Sequence, residues 1–272
     1  MNFTFKEWHN FCSSIDAAKC HNISKIPELS SMEKWIAVKH DVETDVKKAV
    51  KIAEIEANLN IKATYYVQSY LLKHNYKDLK IISDMGHEVT YHYDVLDSNL
   101  GNFKKAIYEF SETLKEFNKY GFQVQSVCPH GNPLMNRVGW NSNKDFFRNA
   151  EVASQFSDIF DVVVHGKQKI KSDYNYVSDA GYGFKIITDI TNNDITKKID
   201  VEIPCIQDLA KLANSNKSLI LSTHPHRWYP NIVRAYLAKT RFNGIRKFAL
   251  FASKSKLLKK IMSKFYFLAK KL

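Results

Sequence analysis

The sequence predicts an α/β protein in which strands alternate with helices to form a parallel sheet or barrel. Short apolar segments of strand length alternate along the chain with longer segments whose apolar residues recur at helical spacing. Polar segments rich in Asp, Glu and His follow several of these strands, as functional loops do at the carboxyl ends of barrel strands. The 272 residues, 44% of them hydrophobic, also suffice for the core of one large domain.

The predicted elements follow one another in a regular order. Residues 1–33 are expected to form a helical extension and a polar loop, and the barrel, over residues 34–240, begins with a buried strand at 35–42. A helix runs from an N-cap at Thr44 to Leu59, because its apolar residues recur at helical spacing. Further strands are predicted at 62–67, 87–92, 124–128, 162–165, 184–190 and 219–223, and further helices at 76–85, 102–120 and 206–213.

The formal net charge of +12 lies entirely at the C-terminal end. Residues 231–272 hold twelve Lys and Arg and no Asp or Glu, so residues 1–230 are formally neutral. The apolar residues of 257–272 fall on one helical stripe and the lysines mostly lie off it, which predicts a basic amphipathic helix over 241–272. Such a helix suits an anionic membrane surface. A helix packed on the barrel with solvated lysines is the alternative, and nucleic-acid binding is disfavoured because no nucleic-acid motif accompanies the charge.

Cysteine use and the N-terminus indicate a cytoplasmic protein. The four cysteines form no Cys-x-x-Cys pair, and the chain starts without a secretory leader, so we expect reduced thiols rather than a disulfide framework. Runs of about 18 apolar residues, which would span a membrane, do not occur. Together with the basic helix, this predicts a cytoplasmic protein that lies peripherally on the inner face of the cell membrane.

Strand periodicity sorts the polar residues at the predicted strand ends. Neighbours in a strand point to opposite faces, so Asp41 and Glu43 share one face, and His92 shares a face with Asp94. His87 lies five residues before His92 and therefore points to the other side, where a structural role is expected.

The residues on the shared faces suit a hydrolytic metal centre. Asp41, Glu43 and His92 would supply mixed oxygen and nitrogen ligands, which zinc or a similar divalent ion accepts, and would leave positions open for water. The metal would polarise an acyl carbonyl and acidify a water, a carboxylate would take the proton of that water, and a protonated imidazole from another strand would donate to the leaving group.

Four segments resemble the motifs of the polysaccharide deacetylases, the NodB-like carbohydrate esterases of family 4, and most closely the divergent WbmS-like subgroup of surface-polysaccharide gene clusters. The resemblance covers about residues 35–229. The segments are His40-Asp41-Val42-Glu43, Gly86-His87-Glu88-Val89-Thr90-Tyr91-His92, Cys128-Pro129-His130-Gly131 and Leu221-Ser222-Thr223-His224-Pro225. Ser178-Asp179, ahead of the Gly181-Tyr182-Gly183 turn, resembles a further loop of the subgroup.

The resemblance implies a distorted (β/α) barrel of the deacetylase type and a role for each matching residue. Asp41 corresponds to the catalytic base or first acidic ligand, Glu43 to the second acidic position, His92 to a metal histidine and His224 to the general acid. The implied cofactor is zinc, with cobalt or nickel as alternatives, and the implied partner is an acetylated glycan or sugar precursor. The candidate substrate-binding residues are Asp94, His130, Asp179 and Trp228.

Three departures from the family pattern bear on the metal site. Glu43 stands where the family has Asp, Leu96 stands where it has a second metal histidine, and its third-motif arginine is replaced near Cys128. His130 or Asp94 could supply the ligand that Leu96 cannot.

Several residues also have a structural explanation. Asp45 and Asp97 are expected to act as helix caps or turn formers. His40 is expected to pack or form hydrogen bonds beside the site, and Trp228 to form either a sugar-stacking wall or part of the core.

The predicted function is metal-dependent removal of an acetyl group from a sugar of a surface-polysaccharide precursor. Leu96 favours the alternative, a barrel that has lost full metal ligation and acts as a glycan-binding or scaffold protein. Asp41, His92 and His224 favour the enzyme. A different metallohydrolase on the same architecture stays open, because fold does not determine function.

Overall fold

The central element is one sheet that holds all nine strands of the described chain. A computed structural model describes residues 1–132, 135–179, 181–196 and 198–252. The strands are β1 (Ile36–Val42), β2 (Ala63–Val67), β3 (Glu88–Tyr93), β4 (Ser126–Pro129), β5 (Phe160–Asp161), β6 (Tyr174–Ser178), β7 (Phe184–Ile186), β8 (Val201–Ile203) and β9 (Ser218–Thr223). The α-helices are α1 (Phe5–Cys12), α2 (Val46–Asn58), α3 (Ser69–Asp84), α4 (Val95–Ser98), α5 (Phe103–Lys119), α6 (Asp145–Arg148), α7 (Ala150–Gln155), α8 (Gly166–Lys169), α9 (Ile206–Ala213) and α10 (Ile232–Ala252).

The sheet is mostly parallel, which confirms the predicted α/β class. Its hydrogen-bonded order is β5-β4-β3-β2-β1-β9-β6-β7-β8. The seven strands from β5 to β6 are parallel, and β7 and β8 continue the sheet in antiparallel pairing. β1 lies between β2 and β9, so its carboxyl end is next to those of two neighbours. Helices connect the parallel strands, as this arrangement requires.

Most predicted strands and helices are confirmed within a few residues, and the helix predicted over 206–213 is α9 itself. The strand predicted at 162–165 is wrong. β5 ends at Asp161, because its carboxylate accepts hydrogen bonds of 2.8 Å from the backbone amides of both Val163 and Val164 and turns the chain there. β6 and β8 were not predicted. The helix predicted at 76–85 begins earlier, at Ser69.

The two aspartates expected to cap or turn the chain differ in outcome. Asp45, not Thr44, is the N-cap of α2, and its side chain accepts a hydrogen bond of 3.3 Å from the amide of Lys48. The expectation for Asp97 is wrong. Its buried carboxylate accepts hydrogen bonds from Arg137 Nε at 2.8 Å and Trp140 Nε1 at 2.9 Å, so it anchors the segment that follows β4.

The two faces of the sheet separate a helix-packed core from an inner cluster. In β1, Ile36, Val38 and Val42 belong to the large hydrophobic core that includes the buried residues of the helices. Ala37 belongs to a smaller cluster on the other face, together with residues of β2, β4, β6 and β9. Ile23 is part of this inner cluster, and its amide donates a hydrogen bond of 2.8 Å to Thr64 Oγ1 near the amino end of β2. The N-terminal segment therefore covers the end of the sheet opposite the strand carboxyl ends.

A buried carboxylate ties the N-terminal helix to the sheet. Glu56, on α2, is fully buried and accepts hydrogen bonds from Trp8 Nε1 at 3.2 Å, His40 Nε2 at 2.7 Å and Tyr65 Oη at 2.6 Å. Burial raises the pKa of Glu56, but His40 and Tyr65 outweigh it, so the pKa lies below its usual range. His40 is thus a structural neighbour, as expected, and α1 shares the core of the sheet.

The C-terminal helix begins before the predicted boundary at residue 241. α10 runs from Ile232 to Ala252, and the predicted amphipathic residues 253–272 lie outside the described part of the chain. In the part that is described, no helix has the length and hydropathy needed to cross a membrane.

Candidate active site

Charged and imidazole side chains from four strand ends meet at one edge of the sheet. Asp41 and Glu43 come from the end of β1, and His92 comes from β3. His130 directly follows β4 and His224 directly follows β9. Because these strands are parallel, their carboxyl ends lie along one edge and the five side chains converge.

The Glu43 carboxylate lies among three imidazoles. Its Oε1 is 3.3 Å from His130 Nε2, 3.6 Å from His224 Nε2 and 3.8 Å from His92 Nε2. Burial raises the pKa of Glu43, but His224, His130 and His92 outweigh it and hold the pKa well below its usual range. Glu43 is therefore an ionised oxygen donor surrounded by nitrogen donors.

Two groups of side chains could hold a metal ion, and they share His92. One ligand atom each of Glu43, His92 and His130 lies within 4.8 Å of the others, and the same holds for Asp41, His92 and Cys128. His92 Nδ1 donates a hydrogen bond of 2.9 Å to the Cys128 carbonyl oxygen, so its Nε2 is the atom left for a metal. Nitrogen, oxygen and sulfur donors of these kinds fit zinc, and the nitrogen and oxygen donors also fit cobalt and nickel.

A buried lysine that sequence reasoning missed holds Asp41. Lys39 is 1% exposed, and its Nζ donates hydrogen bonds of 2.8 and 3.0 Å to the two oxygens of Asp41 and one of 3.1 Å to Cys128 Sγ. Burial raises the pKa of Asp41, but Lys39, His92 and His224 lower it to about 2. Asp41 is therefore ionised at neutral pH. The spacing of Lys39 and Asp41, two residues apart in one strand, was the sequence signal for their shared face.

His224 is oriented by a buried aspartate and faces both acidic residues of β1. Its Nδ1 donates a hydrogen bond of 2.6 Å to Asp179 Oδ1, and its Nε2 is 3.9 Å from Asp41 Oδ2 and 3.6 Å from Glu43 Oε1. Burial and Arg227 lower the pKa of His224, but Asp179 and Glu43 raise it to about 9. The imidazole is thus protonated at neutral pH, as a proton donor must be.

Asp179, predicted to bind substrate, is enclosed by protein groups. It is fully buried, and its carboxylate accepts hydrogen bonds from Arg227 at 2.5 Å and Thr223 Oγ1 at 2.7 Å as well as from His224. All of these donors belong to the protein, so Asp179 acts by orienting His224.

Trp228 also fails as a substrate-binding residue. Its side chain is 1% exposed, its ring centroid lies 5.0 Å from that of Phe3 and 4.9 Å from that of Trp8, and its Nε1 donates to Thr223 Oγ1 at 2.9 Å. A ring enclosed in this way cannot stack on a sugar. The core role, which was the alternative, is the one observed.

The remaining predicted residues separate into site and scaffold. Asp94 is buried at the start of α4, accepts a hydrogen bond of 3.4 Å from Ser98, and belongs to neither donor group of the described residues. Leu96 packs in the large core. His87 donates a hydrogen bond of 3.1 Å to the Ala53 carbonyl oxygen on the helix side, as its strand position predicted. Of the two residues proposed to replace the missing histidine, only His130 reaches the metal donors.

A cavity of about 410 Å³ opens beside His130. Most of the residues that line it are of polar types, and four of them carry side-chain amides: Asn132, Asn141, Asn143 and Asn193. Two cations, Arg137 and Lys144, also line it. A space of this size and polarity can accept a sugar ring next to the metal donors.

The comparisons with known proteins give only distant similarities. No protein-family model and no curated protein matches the chain. A CE4 family pseudoenzyme from Bacillus anthracis is 15% identical over 79% of this chain with a TM-score of 0.42, and the chain spans 62% of its length. A family 4 carbohydrate esterase from Streptomyces lividans in complex with acetate is 12% identical over 79% of this chain and 90% of its own, with a TM-score of 0.42.

A third structure is the catalytic domain of the peptidoglycan N-acetylglucosamine deacetylase from Eubacterium rectale. It is 14% identical over 80% of this chain and 87% of its own, with a TM-score of 0.43. Family 4 carbohydrate esterases and deacetylases are thus among the solved structures that the chain resembles. Such low sequence identities and TM-scores do not establish the activity of this chain.

Proposed function

We propose that this protein is a metal-dependent hydrolase that removes an acetyl group from a sugar. One observation carries the proposal. An ionised carboxylate, Asp41, and a protonated imidazole, His224, face each other at 3.9 Å beside a group of nitrogen and oxygen donors that fits a divalent metal. A base, an acid and a metal site within one pocket are what acyl hydrolysis requires.

The side chains divide the proton transfers between them. A divalent ion, with zinc as the best fit, would polarise the acetyl carbonyl and lower the pKa of the attacking water. Asp41 is placed to take the proton of that water, because its carboxylate is ionised and held by Lys39. His224 is placed to donate a proton to the leaving amine or alcohol, and Asp179 fixes the orientation in which it does so.

The motif resemblance and the cavity support an acetylated sugar as the substrate. The four sequence segments resemble those of polysaccharide deacetylases, and the amide-lined cavity beside His130 has room for a sugar ring. Side-chain amides both donate and accept hydrogen bonds, as sugar hydroxyls do. We therefore propose an acetylated sugar of a surface-polysaccharide precursor as the substrate.

The described part of α10 supports a location at an anionic membrane surface. Ile232, Val233, Tyr236 and Leu237 are exposed and share one face of the helix, while Ala235 on the other side is buried. Basic residues, including Arg234 and Arg241, lie beside this face, and residues 231–272 contain no acidic residue. An apolar stripe with basic flanks fits the lipid interface. We propose a cytoplasmic protein bound peripherally at the inner membrane face.

Sedimentation with lipid vesicles tests this location. The full chain should sediment with vesicles that contain anionic lipid and remain in solution with purely zwitterionic ones. The variant V233E/L237E should lose the binding, whereas K62E, far from α10 in sequence, should retain it. Equal sedimentation of the wild type and V233E/L237E would show that α10 is not the lipid-binding surface.

Metal content and acetate release test the catalytic proposal. Protein purified without a metal-affinity column should contain near-stoichiometric zinc, measured by mass spectrometry, and His92→Ala should contain none. Acetate release from acetylated sugars should then depend on the metal. A chain that takes up no zinc, cobalt or nickel would instead support the glycan-binding or scaffold alternative, which binding of acetylated oligosaccharides would test directly.

A further inference from the structure

The two possible metal groups cannot each hold an ion of their own, because both need His92, whose Nδ1 is already hydrogen-bonded to the Cys128 carbonyl oxygen. The first group consists of Asp41, His92 and Cys128, and the second consists of Glu43, His92 and His130. Which group binds the metal decides whether Asp41 is a ligand or remains available to accept a proton. The choice between the two groups presupposes the proposed metal-dependent function.

Lys39 occupies the first group. Its ammonium lies within 3.0 Å of both Asp41 oxygens and 3.1 Å from Cys128 Sγ, so it contacts two of the three donors. Its side chain is buried, with the rings of Tyr66 and Tyr176 at 5.3 and 5.9 Å from Nζ. A divalent cation bound to these donors would lie next to a buried positive charge, where repulsion is weakly screened.

In the second group, the carboxylate is paired with imidazoles. Among the described residues, the ion pairs of Glu43 are all with imidazoles, those of His92, His130 and His224. A neutral imidazole nitrogen has a lone pair for a metal ion, whereas a lysine ammonium has none. His224 Nε2, the proton donor of the proposed reaction, is 3.6 Å from Glu43 Oε1, farther than the Lys39 ammonium is from either Asp41 oxygen.

We propose that Lys39 directs the divalent metal to Glu43, His92 and His130 and keeps Asp41 out of the coordination sphere as the proton acceptor. His130, which follows β4, then supplies the nitrogen ligand that Leu96 cannot. Lys39 is a positioning residue in this arrangement. Its ammonium group fixes the Asp41 carboxylate and also keeps a metal ion away from the group of Asp41, His92 and Cys128.

Cobalt spectroscopy on the unaltered chain is the first test. Cobalt(II) bound through a cysteine thiolate gives an intense charge-transfer band in the near ultraviolet, and nitrogen and oxygen ligands do not. We expect the wild-type cobalt complex to lack this band. A strong thiolate band would place the metal on Cys128 and overturn the proposal.

Two matched variants, at Cys128 in β4 and at His130 just after β4, supply the second test. Zinc affinity measured by calorimetry should stay near the wild-type value in Cys128→Ala. In His130→Ala it should fall by more than about 100-fold, since loss of an outer-shell partner alone costs 10–100-fold. Thermal unfolding of each variant checks that it is folded, and His130→Gln provides a milder replacement. The reverse order of affinities would refute the assignment.

Replacing the lysine tests its role in the choice. Lys39→Met removes the charge at similar length and should admit cobalt to the first group, so the thiolate band should appear. Lys39→Arg keeps the charge and should retain the wild-type spectrum. A Lys39→Met complex with the wild-type spectrum would show that the ammonium does not direct the metal.

The outcomes separate this inference from the proposed function. If the wild type binds no metal, the metal-dependent function fails. If it binds metal through Cys128, only the present assignment fails. If it binds metal through His130 but releases no acetate, the assignment holds and the hydrolase proposal fails.

Discussion

Replacement of Glu56 by Gln should destabilise the protein even though it preserves the shape of the side chain. The Glu56 carboxylate is fully buried and accepts hydrogen bonds from Trp8, His40 and Tyr65. In Glu56→Gln one oxygen can still accept from Trp8 and His40, but an amide NH₂ replaces the oxygen that accepts from Tyr65. The negative charge that strengthens all three hydrogen bonds is also lost.

The size of the effect follows from these contacts. A hydrogen bond to a charged group contributes about 1.5–3 kcal/mol and a neutral one about 0.5–1.5 kcal/mol, so three weakened bonds cost about 3–4.5 kcal/mol. Glu56→Ala leaves three buried donors without acceptors and should cost about 3–5 kcal/mol. Urea denaturation at pH 7 measures both. Glu54→Gln is the matched control, because Glu54 lies on the same helix but is exposed and should change stability by less than about 0.5 kcal/mol.

The pH dependence provides the check on the mechanism. The pKa of Glu56 is lower in the folded protein than the usual glutamate value of 4.5, so its charge stabilises the fold above pH 4.5. This stabilisation disappears as the pH falls through the folded pKa. The difference between the wild type and Glu56→Gln should therefore be full at pH 7 and shrink below pH 4.5. A variant as stable as Glu54→Gln at pH 7, or a difference that does not shrink in acid, would refute the reasoning.

Three further predictions concern the site. Asp41→Asn should lower kcat for acetate release by about 10²–10⁴ and leave the zinc content unchanged, because it removes the proposed base and keeps the proposed metal ligands. Loss of zinc would contradict the role of Asp41 as the base alone. Asp179→Asn should lower the free energy of unfolding by about 3–5 kcal/mol, because the Arg227 cation loses its buried carboxylate partner. A urea denaturation midpoint equal to that of the wild type would argue against this ion pair. Asp97→Asn should raise KM by a larger factor than it lowers kcat, because Arg137, which lines the substrate cavity, loses its bidentate carboxylate. The same change should accelerate proteolysis between residues 131 and 143. Equal effects on KM and kcat would exclude a role limited to the substrate cavity.

Much of the fold could be predicted because it depends on local periodicity. Alternation along β1 placed Asp41 and Glu43 on one face, and the same rule separated His87 from His92. Helical spacing gave α2, α5 and α9 close to their observed bounds. Where a local contact competes with periodicity, prediction failed. The strand predicted at 162–165 is a turn because the Asp161 carboxylate binds two successive backbone amides.

The sequence by itself determined the α/β class, the face on which most strand residues lie, and several of the residues that meet at the candidate site. The tertiary structure alone decided how these residues meet: that Lys39 contacts Asp41 and Cys128, that His130 joins Glu43 and His92, and that Trp228 is enclosed in the core. The physical reason is the range of the interactions. The face of a residue depends on its own strand, whereas its partners depend on strand order and register, which are set by the packing of the whole sheet.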